Sequence, residues 1–400
     1  MGHRQLPHDS PWLLALLAAL VALGPLSVDM YLPAMPIMMR AFDTDISHMH
    51  LTLSSYLAGF ALFHLACGPL ADRFGRKPVL ISGTLLFVAA CIGCSLANTV
   101  EQMLAFRFLQ GVGACVGPTL ARAVARDVFG PTDAARALSL IAMLMALAPA
   151  VAPTLGGALL LVLPWESVFI FLAAYGAVMI ALIRVFLAES LPQAQSLHPL
   201  TIARNYGELL VDPFFLTVTV SSGLVYAGLM VYLASSSFVY IEMLGVPVEY
   251  FGLVFLSSVV GYMGGSAFSA RLSKRRDSEQ IMRLGVMLGM AACCLLWVSA
   301  MLWPASVLAL VLPMSLYSIA MGLVLPHAMA IALRPFPHIA GTASSLLGFI
   351  QMSLSAAASA LIGGFLSDSP LPMIHLLLGI SLVALLLGLR VHRLYLRAGP

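Results

Sequence analysis

Residues 68–78 read GPLADRFGRKP and lie between two apolar runs that are each long enough to cross a bilayer. A charge at the centre of a bilayer costs about 2.5 to 3.5 kcal/mol even on the permissive insertion scale. The string must therefore mark an edge of the membrane, where a short hinge joins two helices. Its charged residues are Asp72, Arg73, Arg76 and Lys77.

Glycine and proline suit this position. Gly68 and Gly75 are predicted to let the backbone turn tightly and the two helix ends approach, while Pro69 and Pro78 fit helix borders. The alternative is that any short loop between membrane helices gathers arginine and lysine, whatever the protein does.

The whole chain has the composition of an integral membrane protein. Of its 400 residues, 61% are hydrophobic and 9% are charged, and the mean hydropathy is +0.99. These values exclude a soluble globule with a charged surface, and the apolar runs are too continuous for barrel strands. Twelve helical spans are predicted, near 12–36, 47–70, 78–98, 101–127, 134–163, 165–187, 213–243, 247–271, 279–302, 304–333, 339–367 and 371–394.

The cations are distributed unevenly between the two sides of these spans. If both termini are cytoplasmic, Arg40 is the one cation in an outer loop. This bias follows the positive-inside rule and supports an even number of spans. The formal net charge of +3 thus reflects topology, and there is no basic soluble domain to bind nucleic acid. The cations at predicted cytoplasmic positions are Arg4, Arg73, Arg76, Lys77, Arg136, Arg184, Arg204, Arg271, Lys274, Arg275, Arg276, Arg283, Arg334, Arg390, Arg393 and Arg397.

No pattern predicts a cofactor, a metal site or an enzyme. The six cysteines all fall inside predicted spans, where they are expected to pack as small apolar residues, and Cys91 and Cys94 lack the partners of a metal site. Neither of the two lysines, Lys77 and Lys274, belongs to a phosphate-binding loop, and no hydrolase motif occurs. Any energy for transport must therefore come from an ion gradient.

The spans divide into two sets of six. Residues 188–212 form the longest polar interval, so we expect an N-terminal bundle at 1–187, a cytoplasmic linker at 188–212 and a C-terminal bundle at 213–400. The basic stretch at 270–278 occupies the place in the second half that the opening string has in the first. This layout is typical of transporters whose halves rock about a midplane site.

Several stretches together resemble the Bcr/CflA drug-efflux branch of the major facilitator superfamily, in the right order over nearly the whole chain. The resemblance implies a bacterial inner-membrane exporter that expels small amphipathic molecules in exchange for protons. It implies no cofactor, and a monomer is expected. The stretches are GPLADRFGRKP, SVDMYLPAMP at 27–36, RFLQGVGAC at 107–115, ARAVARDVF at 121–129, APAVAPTLGG at 148–157, and MGLVLPHAMAIALRPFPHIAGTASSLLGFIQ at 321–351.

The resemblance also implies two conformational elements. A charge network of Asp72, Arg76 and Asp127 would lock the inner side when the outer side is open. The other gating residues of this element are Gly68, Arg73 and Gly75. Asp72 would in addition cap the eleventh span near 340–342. The fifth span resembles the antiporter motif, although Ala152 stands where a glycine is usual; close packing without directional meaning is the alternative. That motif comprises Pro149, Pro153, Gly156 and Gly157.

Asp29 is the one acidic residue well inside a predicted span, about seven residues or roughly 10 Å from the outer end of the first helix. Arg107 lies at a similar depth in the fourth span. Two isolated charges in one layer of the membrane are tolerated when they face a shared polar cavity, so we predict a proton-coupling pair. The alternatives are a static ion pair, or an Asp29 that reaches the outer interface.

Helical spacing suggests the walls of a substrate cavity, although each wall residue could equally serve helix packing. His64 and His327 stand where the family more often has amides, and they either influence substrate choice or remain hydrogen-bonded neutral histidines. The predicted cavity residues are Tyr31, Tyr56, Phe60, His64, Gln110, Tyr226, Met230, His327 and Gln351.

The sequence thus predicts an all-α membrane protein of twelve helices that exports small molecules in exchange for protons. Its expected partners are a small-molecule substrate, protons and the lipid bilayer, with no nucleic acid. A facilitator or importer of a metabolite with the same fold, and a receptor that does not transport, are the alternatives. An intramembrane acid such as Asp29 favours coupled transport, since neither a passive carrier nor a receptor needs one.

Overall fold

The computed structural model describes residues 10–145, 148–191, 199–366 and 369–398, without the side chains of 11, 130–140, 142–145, 199–200 and 392–398. Every regular element in these ranges is helical. Arg4 and the side chains of Arg136, Arg393 and Arg397, which belong to the predicted charge bias, lie outside the described residues.

Fifteen α-helices follow one another in the described ranges. Short 3₁₀ turns lie at Leu32–Ala34, Val248–Tyr250 and Pro337–Ile339, and a π-helix covers Phe238–Met243. The α-helices are α1 (Pro11–Asp29), α2 (Met35–Ala41), α3 (Ile46–Phe74), α4 (Arg76–Ser95), α5 (Val100–Ala114), α6 (Val116–Met145), α7 (Ala148–Val162), α8 (Glu166–Phe186), α9 (Pro199–Val211), α10 (Pro213–Ser237), α11 (Phe251–Leu272), α12 (Ser278–Leu302), α13 (Val307–Leu333), α14 (Ala340–Gly363) and α15 (Leu371–Ala398).

The helix count agrees with the predicted membrane fold. Eleven helices in the described ranges are long and apolar enough to cross a bilayer, and the shorter α7 is also apolar. One predicted boundary was wrong: α6 continues through the interval 128–133, where a loop between the fourth and fifth spans was expected. A further helix, α9, lies within the predicted polar linker.

The opening string is more helical than the sequence suggested. Helix α3 continues to Phe74 and α4 begins at Arg76, so Gly75 alone separates them, with a φ of 99° that favours glycine. Gly68 and Pro69 lie inside α3, and their predicted role in the turn was wrong. Proline is tolerated there because a membrane helix can satisfy the freed carbonyl through neighbouring groups.

Helices α1 to α8 pack mainly among themselves, and so do α10 to α15. The two groups meet along two helix pairs, α3 with α14 and α7 with α11. A glycine also lets α7 approach the 3₁₀ turn that precedes α11, because a Cβ at Gly157 would lie 2.7 Å from the carbonyl oxygen of Val248. Helix α9 touches both groups: its Tyr206 hydroxyl donates to the Leu65 carbonyl at 3.0 Å, and its Glu208 lies 3.5 Å from His338.

The two ends of the bundle differ in charge. One end carries Gly75 and residues 187–191, 273–277 and 334–336, and we call it the basic face. The other end, with residues 42–45, 96–99, 244–247 and 303–306, is called the opposite face. At the opposite face Arg40 pairs with Glu242 at 2.7 Å and so links the two groups of helices.

Candidate functional site

The first membrane helix breaks at the predicted coupling residue. Helix α1 ends at Asp29, and a 3₁₀ turn precedes α2. Pro33 has no N–H with which to continue the helical bond to the Asp29 carbonyl, so the break follows from the sequence. A helix end leaves its last carbonyls without partners. Asp29 therefore stands beside backbone oxygens that carry partial negative charge. Such a position favours a proton or a cation and disfavours an ionised carboxylate.

Arg107 satisfies one of these carbonyls. Its Nη1 donates to the Ser27 carbonyl at 3.1 Å and to the Gln110 Oε1 at 2.6 Å. Its guanidinium carbon lies 4.3 Å from the ring centre of Tyr31 and 4.5 Å from that of Tyr56. The two rings hold the buried charge by cation–π contact. The Nε and Nη2 atoms of Arg107 are buried without a described hydrogen-bond partner.

Asp29 and Arg107 do not form an ion pair with each other. Asp29 is 4% exposed and makes no hydrogen bond or ion pair with any residue that the structure describes. From the second half, Tyr226 on α10 lies within electrostatic range of the Asp29 carboxylate. Asp29 thus lies where the two groups of helices approach each other, and its carboxylate oxygens are unpaired among the described residues.

The other predicted cavity residues extend along the helices on both sides of this point. Tyr31 contacts the Thr52 hydroxyl, Tyr56 donates to the Gly24 carbonyl at 3.3 Å, and Phe60 lies between Tyr56 and His64. On the second half Met230 is buried, whereas Tyr226 and Gln351 are partly exposed. Gln351 lies 3.5 Å from the Ser222 hydroxyl. Aromatic and thioether surface of this kind suits amphipathic molecules.

His64 and His327 lie away from Asp29, toward the basic face. His64 packs against Gly348 of α14, so it belongs to the contact between the two groups of helices. His327 lies within a set of serines: its Nε2 is 2.8 Å from the Ser269 hydroxyl and its Nδ1 is 3.0 Å from that of Ser278. These residues line a cavity of about 540 Å³ that reaches Arg276 and Arg334.

The antiporter-like segment packs against the break in α1. A Cβ at Gly156 would lie 2.5 Å from the Met30 carbonyl oxygen, one residue after Asp29. Gly157 makes the close contact with Val248 described above, so α7 lies between the break and the second half. Pro153 falls inside α7, Pro149 near its start, and Ala152 is fully buried. This packing requires small residues at 156 and 157.

The charge network at the basic face joins three helices. Arg76 Nη1 lies 2.5 Å from Asp72 Oδ1, and Arg76 Nε donates to Asp127 Oδ2 at 3.0 Å. Arg73 is exposed and lies over the Phe74 ring at 5.6 Å. The expected cap of α14 by Asp72 was wrong, since no side chain caps that helix. The reason is that Arg76, one turn further along the chain, holds the Asp72 carboxylate.

Glu189 is part of this network and was not found from the sequence. Its carboxylate accepts the backbone N–H groups of Arg76 at 2.9 Å and Lys77 at 3.1 Å, so it caps α4 where Gly75 has no side chain to do so. Ser190 donates to Asp127 at 3.4 Å. A carboxylate immediately after the sixth apolar run was the available signal, but only folding shows which helix end it reaches.

The residues that the structure describes do not form a metal site. In the described part of the chain there is no group of three or more histidine, cysteine or acidic residues close enough to hold an ion. The cysteines are free thiols, and Cys91 accepts a hydrogen bond from Gln110 at 3.1 Å.

Comparison with known proteins gives a family match and several relatives of this chain. The family model described as Major Facilitator Superfamily matches residues 17–360. An uncharacterized MFS-type transporter, YdgK of Bacillus subtilis, is 32% identical over 353 residues, or 87% of each chain. The multidrug resistance protein MdtL of Shigella flexneri is 34% identical over 337 residues, or 84% of each chain. The bicyclomycin resistance protein homolog of Haemophilus influenzae is 28% identical over 365 residues, or 90% of each chain.

Solved structures show the same fold at low sequence identity. A bacterial homolog of the human lysosomal transporter Spinster, in an inward-facing and occupied conformation, has a TM-score of 0.76 at 15% identity, over 96% of this chain and 97% of that one. A point mutant of the nucleoside transporter NupG has a TM-score of 0.77 at 13% identity, over 96% of this chain and 100% of that one.

The family match and the relatives indicate a secondary transporter and not an enzyme. The match over residues 17–360 then gives the family: the chain belongs to the Major Facilitator Superfamily. The resemblance stated from the sequence motifs is confirmed, and with it the multi-pass membrane fold.

Proposed function

We propose that this protein exports small amphipathic molecules across the bacterial inner membrane in exchange for protons, by alternating access. The observation that carries the proposal is Asp29, a carboxylate that is 4% exposed and makes no described hydrogen bond or ion pair. Burial of an unpaired charge is costly, so this carboxylate favours a bound proton or a cationic group. Exchange of one for the other at a single site is the basis of antiport.

The cavity and the relatives support the substrate class and the direction. Tyr31 follows α1, Tyr56 and Phe60 lie on α3, and Met230 lies on α10; all four side chains are buried and are aromatic or apolar. Two of the relatives carry names that refer to multidrug resistance and bicyclomycin resistance. In this mechanism a substrate from the cytoplasm occupies the cavity and Asp29 releases its proton. A proton from the other side then returns Asp29 to its neutral form after the substrate has left.

The test of function uses inverted membrane vesicles that contain the full chain. With an imposed gradient, acidic inside, a panel of antibiotics, dyes and small metabolites should show at least one compound that accumulates in the lumen. Collapse of the gradient should abolish that accumulation while downhill exchange persists. Uptake that is equal with and without the gradient would favour the facilitator, and binding without movement would favour a receptor.

We further propose that the basic face is cytoplasmic and that both termini lie on that side, with bundles at 1–187 and 213–400 and the linker between them. The asymmetry of cations between the two faces supports this orientation. Reporter domains fused after Arg204 and after Arg397 should both report a cytoplasmic location, and one fused after Thr99 should report a periplasmic one. A periplasmic signal from either of the first two fusions would contradict the twelve-span topology.

A further inference from the structure

A buried histidine joins the two groups of helices at the opposite face. His50 on α3 is 0% exposed and its ring stacks on Phe238 of the π-helix, with 5.7 Å between ring centres and 22° between planes. Its Nδ1 lies 3.3 Å from the Ser359 carbonyl oxygen on α14. A Cβ at Gly363 would lie 2.5 Å from the His50 Cβ. We call these four residues, His50, Phe238, Ser359 and Gly363, the histidine seal.

The hydrogen bond of His50 fixes which ring nitrogen carries a hydrogen in the neutral ring. A carbonyl oxygen can only accept, so Nδ1 must carry the hydrogen. The Nε2 atom is buried and has no described hydrogen-bond partner. In a ring whose Nδ1 is protonated, a neutral imidazole leaves Nε2 with a lone pair, and that atom is the one that can take up a proton. The seal therefore contains a basic nitrogen that is excluded from water only while the two groups remain in contact.

Among the described residues around the histidine seal, no unpaired anionic side chain can pair with the Nε2 atom of His50. Helix α14 has no charged or histidine residue between 340 and 363. The π-helix contributes Tyr240, which is hydrogen-bonded to Tyr232, and Glu242, which is paired with Arg40. At the start of α3, the Asp45 carboxylate is already paired with the His48 ring.

The Asp45 pair is a surface feature. The backbone N–H and the ring of His48 lower the pKa of Asp45 below its usual value, so this carboxylate is charged and committed at the surface. Among the described residues, an imidazolium at His50 would thus be a buried charge without a partner, and such a charge is costly.

We propose that His50 is a proton-responsive residue of the opposite face, and that protonation of its Nε2 separates the histidine seal and favours the conformation open to that face. The proton adds to the lone pair of Nε2, and the resulting imidazolium is stable only when water can reach it. Acid on that side therefore shifts the equilibrium toward the open conformation. This role goes beyond the exchange proposed for Asp29 and holds for either direction of transport.

The size of the effect follows from the chemistry of histidine. An imidazole in water takes up its proton near pH 6.5. If the closed seal excludes the proton, the ratio of open to closed molecules should rise about tenfold between pH 7.5 and pH 5.5. A variant that cannot be protonated at this position should lose that dependence.

The experiment measures how far the two groups of helices separate at the opposite face, in liposomes that contain the full chain. Spin labels are placed on cysteines at Leu96 and Trp303, which are exposed at the opposite-face ends of α4 and α12, in a background without the native cysteines. Distances between the labels are then recorded at both pH values. We expect the long-distance population to increase at pH 5.5 in the otherwise unaltered chain.

His50→Gln retains a donor for the Ser359 carbonyl but cannot become a cation, and it should remove most of the increase. His50→Phe retains the stacking on Phe238 and provides a second variant should the first fail to fold. The matched control is His48→Gln, an exposed histidine two residues away, which should respond as the unaltered chain does. An unchanged acid response in either His50 variant would overturn the proposal.

The Asp29→Asn background separates this proposal from the proposed function. The acid response of the labels should persist there, since it originates at His50. Loss of the response in Asp29→Asn, with His50 intact, would assign the effect to the coupling carboxylate and overturn the role of His50. The readout is a distance and requires no transported substrate, so a failed transport assay leaves it interpretable.

Discussion

An Asp29→Asn variant is expected to fold and to exchange substrate downhill, yet to lose accumulation against a gradient. The amide has nearly the same shape and cannot take up or release a proton. One proton that moves through ~100 mV supplies about 2.3 kcal/mol, which sustains between one and two decades of substrate gradient. The accumulation ratio in vesicles should therefore fall by roughly 10- to 100-fold, to the value at equilibrium.

Asp43→Asn is the matched control for this experiment. Asp43 is an exposed carboxylate fourteen positions further along the chain, with a φ of 48° that asparagine also adopts readily. The control should accumulate substrate as the unaltered chain does. If Asp29→Asn still pumps uphill at nearly the normal rate, Asp29 is structural, and proton coupling is to be sought at the histidines His50, His64 and His327 or at the helix ends.

Gly156→Ala is expected to reduce transport by about tenfold or more. The added Cβ would lie 2.5 Å from the Met30 carbonyl oxygen and 3.1 Å from the carbonyl carbon, and the backbone of the broken first helix cannot rotate away as a side chain would. Overpacking of this kind costs about 1 to 3 kcal/mol. Both partners belong to the first group of helices, so the cost falls on the packing of α7 against α1, and this packing positions the face of α7 that meets α11.

Gly264→Ala provides the comparison, since a Cβ at Gly264 on α11 would meet nothing within 4 Å. Transport rate, expression and melting temperature should be measured for both variants. We expect the Gly264 variant to match the unaltered protein. Equal transport in the two variants would show that the contact between α7 and Met30 is not needed in the cycle, and the antiporter-like segment would then be ordinary packing.

Both predictions concern one structural unit. The break after Asp29 supplies free carbonyls, Arg107 takes one of them, and Gly156 packs against the next residue. A proton or a cationic substrate at Asp29 changes the charge beside this junction. Since α7 also contacts Val248 of the second half, a small displacement at the break can reach the interface between the two groups of helices. The proposed coupling site and the interface between the two groups of helices are thus connected through α7.

Sequence alone determined the features that depend on composition and on local chemistry. Continuous apolar runs must form helices in a bilayer, because only helices satisfy every backbone group within one segment. The charged residues at 72–77 had to lie at a membrane edge because a charge in the hydrocarbon core is costly. Asp29 was identified because an acid inside an apolar run is rare, and Pro33 gave the reason for a break next to it.

Only the tertiary structure decided which groups meet. Asp29 and Arg107 share a layer of the membrane, but the guanidinium is held by Tyr31, Tyr56 and the Ser27 carbonyl and not by the carboxylate. Glu189 lies 113 positions from Arg76 and caps α4, the helix that begins at Arg76. Such contacts depend on how helices rotate and tilt against one another. That arrangement is set by the sum of many weak packing contacts between distant segments, and no local pattern in the chain encodes it.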